Sequence, residues 1–171
     1  GDTNVTNGSG TIQGLGTGGL AIAAVGKASV SNGTGIITGD LAGISAANVT
    51  VTGNAGLIEA TGANGHAITA TGDANVTNGA GTIQALASGG VAISADGKAT
   101  VNNGTGTIAG GTVGIAGSTV DVSNTAGGSI SGGIVGINGL TVTVSGNSGT
   151  IEATGNSGSA LNANGDITVN N

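Results

Sequence analysis

A chain of 171 residues with 39 glycines and no proline, cysteine, methionine or aromatic residue is long enough for one domain, but it has no means of forming a disulfide, a thiol nucleophile or a base-stacking platform. Eight acids against two lysines give a net charge of −6, which argues against a phosphate-binding groove and hence against nucleic acid as a partner. No apolar run approaches the length of a membrane span and no signal peptide is visible, so no membrane insertion is expected of this segment.

The first predicted element is a strand centred on Val5. Its flanking residues, Asn4 and Thr6, are polar, and this alternation is what a half-buried strand requires. A second strand follows around Ile12 and a third around Ile22. The same three anchors then recur every 21 to 25 residues. Val5, Val30, Val51, Val76, Val101, Val122, Val144 and Val169 form the first column. Ile12, Ile37, Ile58, Ile83, Ile108, Ile130 and Ile151 form the second; Ile22, Ile44, Ile68, Ile93, Ile115, Ile137 and Leu161 form the third. A fixed period with three apolar anchors predicts an all-β solenoid of about seven three-stranded coils, built as a parallel β-helix. Sides of seven residues do not fit a hexapeptide left-handed helix, so right-handed winding is expected. The whole chain, residues 1–171, reads as one domain. A larger duplication pairs residues 1–71 with residues 72–164, the second half holding one extra coil.

Two residues beyond the first-column valines stand Asn7, Asn32, Asn78, Asn103, Asn124 and Asn171, displaced by one place at Asn54 and Asn147. Asparagines at one corner of successive coils are expected to bond amide to amide in a ladder. Two residues before every second-column isoleucine is a glycine: Gly10, Gly35, Gly56, Gly81, Gly106, Gly128 and Gly149. Either a positive φ or a wall too close for a Cβ would explain an unbroken glycine column. In the third strand, Leu20, Ala42, His66, Val91, Val113, Val135 and Ser159 are expected to face inward. The small residues Ala21, Ala23, Gly43, Ser45, Ala92, Ser94, Gly114 and Ala116 are expected to face outward, where they would permit lateral packing. Short coils space their anchors seven, seven and seven residues apart. Long coils place most of their extra residues between the second and third strands, as in Ala85-Leu86-Ala87-Ser88-Gly89-Gly90.

Units such as Gly97-Lys98-Ala99-Thr100-Val101-Asn102-Asn103-Gly104-Thr105-Gly106-Thr107-Ile108 resemble the VxNxGTI repeats of bacterial autotransporter passengers and filamentous-haemagglutinin-type adhesins. The resemblance runs the length of the chain. It implies a right-handed β-helix on a cell surface, secreted or displayed, with a host or cell-surface ligand as a possible partner. The chain departs from that pattern in having no aromatic residue, no capping segment and no membrane barrel.

Chemistry is sparse. The carboxylates are Asp2, Asp40, Glu59, Asp73, Asp96, Asp121, Glu152 and Asp166. Glu59 and Glu152 share a column but lie four coils apart, about 19 Å at strand spacing, whereas paired glycosidase carboxylates stand roughly 5–9.5 Å apart. Asp121 is expected beside Thr100 and Thr143. No GGxGxD calcium motif occurs, and His66, the single histidine, is expected to fill the inward space beside Ala42. Sequons at Asn4, Asn32, Asn75 and Asn103 follow from the repeat itself. A charged column, Asp2, Lys27, Asn48, Asp73, Lys98, Thr119, Thr141 and Asp166, sets each lysine one coil after an aspartate; exposed pairs there would help register by only about 0–1 kcal/mol, and the column is expected to be a solvated edge. No catalytic, cofactor-binding or metal site is therefore expected, and the chain reads as non-enzymatic.

Three functions compete. The first is a structural or adhesive surface shaft. The second is a filament subunit that stacks end to end through its open terminal strands. The third is ice binding by the Thr, Ser and Asn columns of the first strand, of which only Thr50-Val51-Thr52 is a full Thr-x-Thr.

Overall fold

The computed structural model describes residues Gly1–Asn171 and contains no helix. The first coil consists of β1 (Thr3–Asn7), β2 (Thr11–Gly14) and β3 (Leu20–Ala23), and the second of β4 (Lys27–Asn32), β5 (Ile36–Gly39) and β6 (Ala42–Ala46). The third holds β7 (Asn48–Asn54), β8 (Leu57–Ala60) and β9 (His66–Ala70); the fourth holds β10 (Ala74–Asn78), β11 (Thr82–Ala85) and β12 (Val91–Ala95). Coil five is β13 (Lys98–Asn103), β14 (Thr107–Gly110) and β15 (Val113–Ala116). Coil six is β16 (Thr119–Asn124), β17 (Ser129–Gly132) and β18 (Val135–Gly139). Coil seven is β19 (Thr141–Asn147), β20 (Thr150–Ala153) and β21 (Ser159–Ala163), and β22 (Ile167–Asn170) begins an eighth. Every third strand pairs in parallel, giving one eight-stranded and two seven-stranded sheets that enclose the core.

Register follows the anchors. Val5 pairs with Val30, Val76 with Val101 and Val122 with Val144; Ile58 pairs with Ile83 and Ile93 with Ile115. The interior isoleucines from Ile37 to Ile137 on the second and third sheets are fully closed off from solvent. Burying an isoleucine contributes on the order of 1.5–3 kcal/mol, and a register slip would lose this along a whole strand.

The asparagine ladder forms. Asn7, Asn32, Asn54, Asn78, Asn103 and Asn124 are buried, and each donates from Nδ2 to the Oδ1 of the asparagine one coil on, at 2.7 to 2.9 Å, ending on Asn147. The same amides also donate to the carbonyls of Gly10, Gly35, Gly81, Gly106 and Gly128 in their own coils. Asn171 lies beyond β22 and is not a rung. The displaced Asn54 and Asn147 reach the ladder through bulges. Register shifts between Val76 and Asn78 and between Val122 and Asn124 accommodate one extra residue, Gly53 at φ 66° and Gly146 at φ 68°. A residue at positive φ in a bulge is a position where glycine is required.

Close approach, not positive φ, explains the glycine column. None of its seven members has a positive φ. A Cβ on Gly81 would strike the Asn54 amide and come within 2.6 Å of the Gly56 carbonyl oxygen. Gly35 and Gly106 meet the amides of Asn7 and Asn78 in the same way. The column is empty of side chains because the ladder occupies that space.

The third sheet departs from the expected alternation. Its inward residues directly before the anchor are the small ones: Ala67 and Ala92 are fully buried, and Gly43, Gly114 and Gly136 are also buried. Leu20, His66, Val91, Val113 and Val135, expected inside, sit half-exposed or exposed at the corner, and only Ala42 among the interior members is buried. The cause is space. A Cβ at Gly43 would come within 3.0 Å of the Glu59 carbonyl oxygen, and one at Gly114 within 2.7 Å of that of Ser131. The chain bends at this corner and turns the small residue toward the neighbouring second-sheet backbone. Ala23, Ser45, Ser94 and Ala116 do face out, but Ala21, Gly43, Ala92 and Gly114 are not available for lateral packing.

The short coils turn this corner through Gly39, Gly110 and Gly132, where a Cβ would collide with the carbonyls of Ala42, Val113 and Val135. Long coils three, four and seven carry Ala60, Ala85 and Ala153 there, but long coil one carries Gly14, so the corner residue alone does not set coil length.

Within this frame, Gly81→Val and Asn78→Asp should both melt far below wild type, and Thr77→Val should melt close to it. The first forces a side chain into the ladder at a cost of about 1–3 kcal/mol, and the second removes two donors and buries a carboxylate. Thr77 is exposed. Circular-dichroism melts of the three variants that coincide would refute the ladder as the tightest part of the core.

Candidate functional site

Four of the eight acids, Asp2, Asp40, Glu59 and Asp73, bond to neighbouring coils. Asp2 Oδ1 accepts the Lys27 backbone N–H and Asp73 Oδ1 accepts that of Lys98, both at 2.8 Å. Asp40 accepts Gly18 N–H at 2.7 Å and so pins the first long loop. Glu59 accepts from Thr38 Oγ1 at 3.1 Å and from Gln84 Nε2 at 3.0 Å, bridging three coils on the second sheet. Between Glu59 and Glu152 stand Gln84, Ala109 and Ser131 in register, so the two remain four strands apart. No three His, Asp or Glu side chains gather as metal ligands would.

The charged column is not wholly a solvated edge: one of its lysines is paired, though not within the column. Lys98 Nζ pairs with Asp121, one coil further on, and not with Asp73. Lys98 and Thr100 lie on the same outward face, and Asp121 pairs with Thr100, so the contact is diagonal. Reading a single column could not find a diagonal partner. Thr100 and Thr143 do flank Asp121 as expected. The sequons divide: Asn32 and Asn103 are buried rungs, closed to any modifying enzyme, whereas Asn4 and Asn75 are exposed.

His66 stands half-buried between Ala42 and Val91 in the third sheet. Its Nδ1 is buried without a hydrogen-bond partner. Desolvation lowers its pKa below the ordinary histidine value. The strands on either side, β6 and β12, bring no charged group to it; Asp40, in the corner of the preceding coil, is turned to Gly18.

The outer face of the first sheet carries the one concavity. It is an open trough of about 220 Å³ lined by Asn4, Thr6, Ser29, Ser31, Thr50 and Thr52, with Val5 and Val30 at its floor. These six polar side chains come from β1, β4 and β7. The alternation of polar residues around each valine marked them as outward in the sequence; that they enclose a depression is visible only in the structure.

Comparison with protein-family models, with curated proteins and with solved structures gives no match for this chain. The site must therefore be read from its own geometry.

The histidine yields a signed pH prediction. Its folded-state pKa is depressed, so the fold favours the neutral ring. Stability is full above the unfolded value of about 6.5 and falls as pH drops through it. His66→Val, which copies Val91 one coil on, should flatten the melting temperature between neutral and mildly acidic pH. An unchanged acid-side slope in the variant would assign the effect to other groups.

Proposed function

We propose that the chain is a non-enzymatic shaft: a stiff structural or adhesive segment of an extracellular bacterial surface protein. The observation that carries this reading is the continuous in-register stack of anchors and asparagines through every coil. Each coil is bonded to the next on all three sides, so bending requires breaking backbone ladders and amide bonds together. The acids and the one ion pair bridge coils as well. The resemblance of the Gly97–Ile108 unit to autotransporter and adhesin repeats supports the extracellular placement.

Axial association is a second reading with its own observation. Ile167 is 45% and Val169 51% exposed, whereas their in-register partners Val142 and Val144 are closed. Another coil would cover them, whether supplied by a continuation of the chain or by a second copy.

Small-angle scattering and analytical ultracentrifugation on residues 1–171 test both. The shaft requires a rigid rod whose stacked strands span about 34 Å, at about 4.8 Å per coil. A flexible or spherical particle would refute it. The second reading requires concentration-dependent lengthening that Ile167→Lys with Val169→Lys abolishes. A strict 15.4 kDa monomer at high concentration with β22 ordered would leave the shaft and remove the filament.

A further inference from the structure

We propose that Asn64, in the exposed loop of the third coil, is the site at which this chain spontaneously deamidates, and that the asparagine ladder shields its own rungs from the same chemistry. The step needs only water. The backbone nitrogen of the following residue loses its proton and attacks the asparagine Cγ. The side-chain nitrogen leaves as ammonia and a cyclic succinimide closes. Water then adds to either ring carbonyl and opens it to aspartate or to isoaspartate, in which the main chain runs through the side-chain carbonyl. Glycine after asparagine favours the attack, because no Cβ crowds the nitrogen or restricts its approach.

Asn-Gly occurs seven times in the chain. Four of these asparagines, Asn7, Asn32, Asn78 and Asn103, are ladder rungs, buried and bonded amide to amide. At three of them the attacking nitrogen is held as well. Gly33, Gly79 and Gly104 donate their N–H groups to the carbonyls of Asn7, Asn54 and Asn78, one coil earlier, at 2.7 to 2.9 Å. Attack at a rung must break the rung and the cross-coil bond and admit water, which requires local opening of the stack.

Asn64, Asn138 and Asn164 stand off the ladder. Asn138 is partly buried and its Oδ1 accepts from Asn162 Nδ2 at 2.6 Å. Asn164 is exposed, but the Gly165 N–H that would attack it is bonded across coils to the Leu140 carbonyl at 2.8 Å. Asn64 is exposed, and its carboxamide has no hydrogen-bond partner. The Gly65 nitrogen bonds only within its own loop, to the Gly62 carbonyl at 3.1 Å. The Asn64 N–H is anchored to Ser88 at 2.8 Å, but that nitrogen takes no part in the step. Asn64 also has a positive φ of 57°, a conformation uncommon outside glycine, so opening this turn relaxes the backbone and costs one local bond. The product adds a negative charge to a chain already at −6, in a loop where no rung is lost.

The test is peptide mapping by mass spectrometry after incubating folded residues 1–171 in mildly alkaline buffer. Cleavage after glutamate and before aspartate isolates residues 60–72, whose only asparagine is Asn64, from residues 73–95, which carry the rung Asn78. We expect residues 60–72 to gain the mass of deamidation first, as a mixture of aspartate and isoaspartate, and residues 73–95 to react roughly tenfold more slowly or less. In urea-unfolded chain the two Asn-Gly pairs should react at similar rates. Asn64→Asp should melt close to wild type, unlike Asn78→Asp. Equal rates for the two peptides in the folded chain would overturn the proposal. So would faster reaction at Asn138 or Asn164, or an unchanged 60–72 peptide at times when the unfolded chain has reacted. A melting temperature for Asn64→Asp as low as that of Asn78→Asp would refute the independence of this loop from the ladder.

Discussion

The asparagine ladder is the constraint from which the rest of the coil follows. A buried carboxamide left unbonded costs about 1–3 kcal/mol, so each rung must meet the next at bonding distance and height. The rungs therefore hold the first sheet to one register, against which the isoleucine stacks of the other two sheets can close. Where the chain carries one residue too many, at Gly53 and Gly146, it bulges and the rung is kept. The backbone is distorted in preference to losing the amide contact.

Because the rungs bond to glycine carbonyls within their own coil and crowd the glycines of neighbouring coils, amide and glycine form one device. A second tight seam runs between the second and third sheets, where alanine and glycine face the carbonyls across the corner. The core is built from valine, isoleucine and alanine alone. Branched aliphatic side chains from the three sheets fill the section, and stability accumulates by repetition of a thin core.

The outward surfaces are used differently. The second sheet binds its own polar side chains into a cross-coil network around Glu59, and the charged column at the entry to the first sheet caps backbone N–H groups of the following coil. Both favour axial stiffness. The outer face of β1, β4 and β7 instead forms a shallow, open trough lined by polar side chains.

The period, the three anchor columns, the rungs and the unbroken glycine column were all legible in the sequence. Each rests on strict repetition of a residue type whose physical demand is local: burial for isoleucine, amide pairing for asparagine, absence of a Cβ for glycine. The third sheet was misread because strict two-residue alternation fails where the chain turns a corner. Only the packed cross-section shows that Ala92 points in and Val91 lies at the edge. The diagonal pairing of Lys98 with Asp121, the burial of the sequons at Asn32 and Asn103, and the unpartnered Nδ1 of His66 likewise depend on neighbours a full coil away in sequence. The sequence by itself determined that this chain stacks. Tertiary structure decided which side chains the stacking hides and which it leaves free, because that depends on the curvature of each corner.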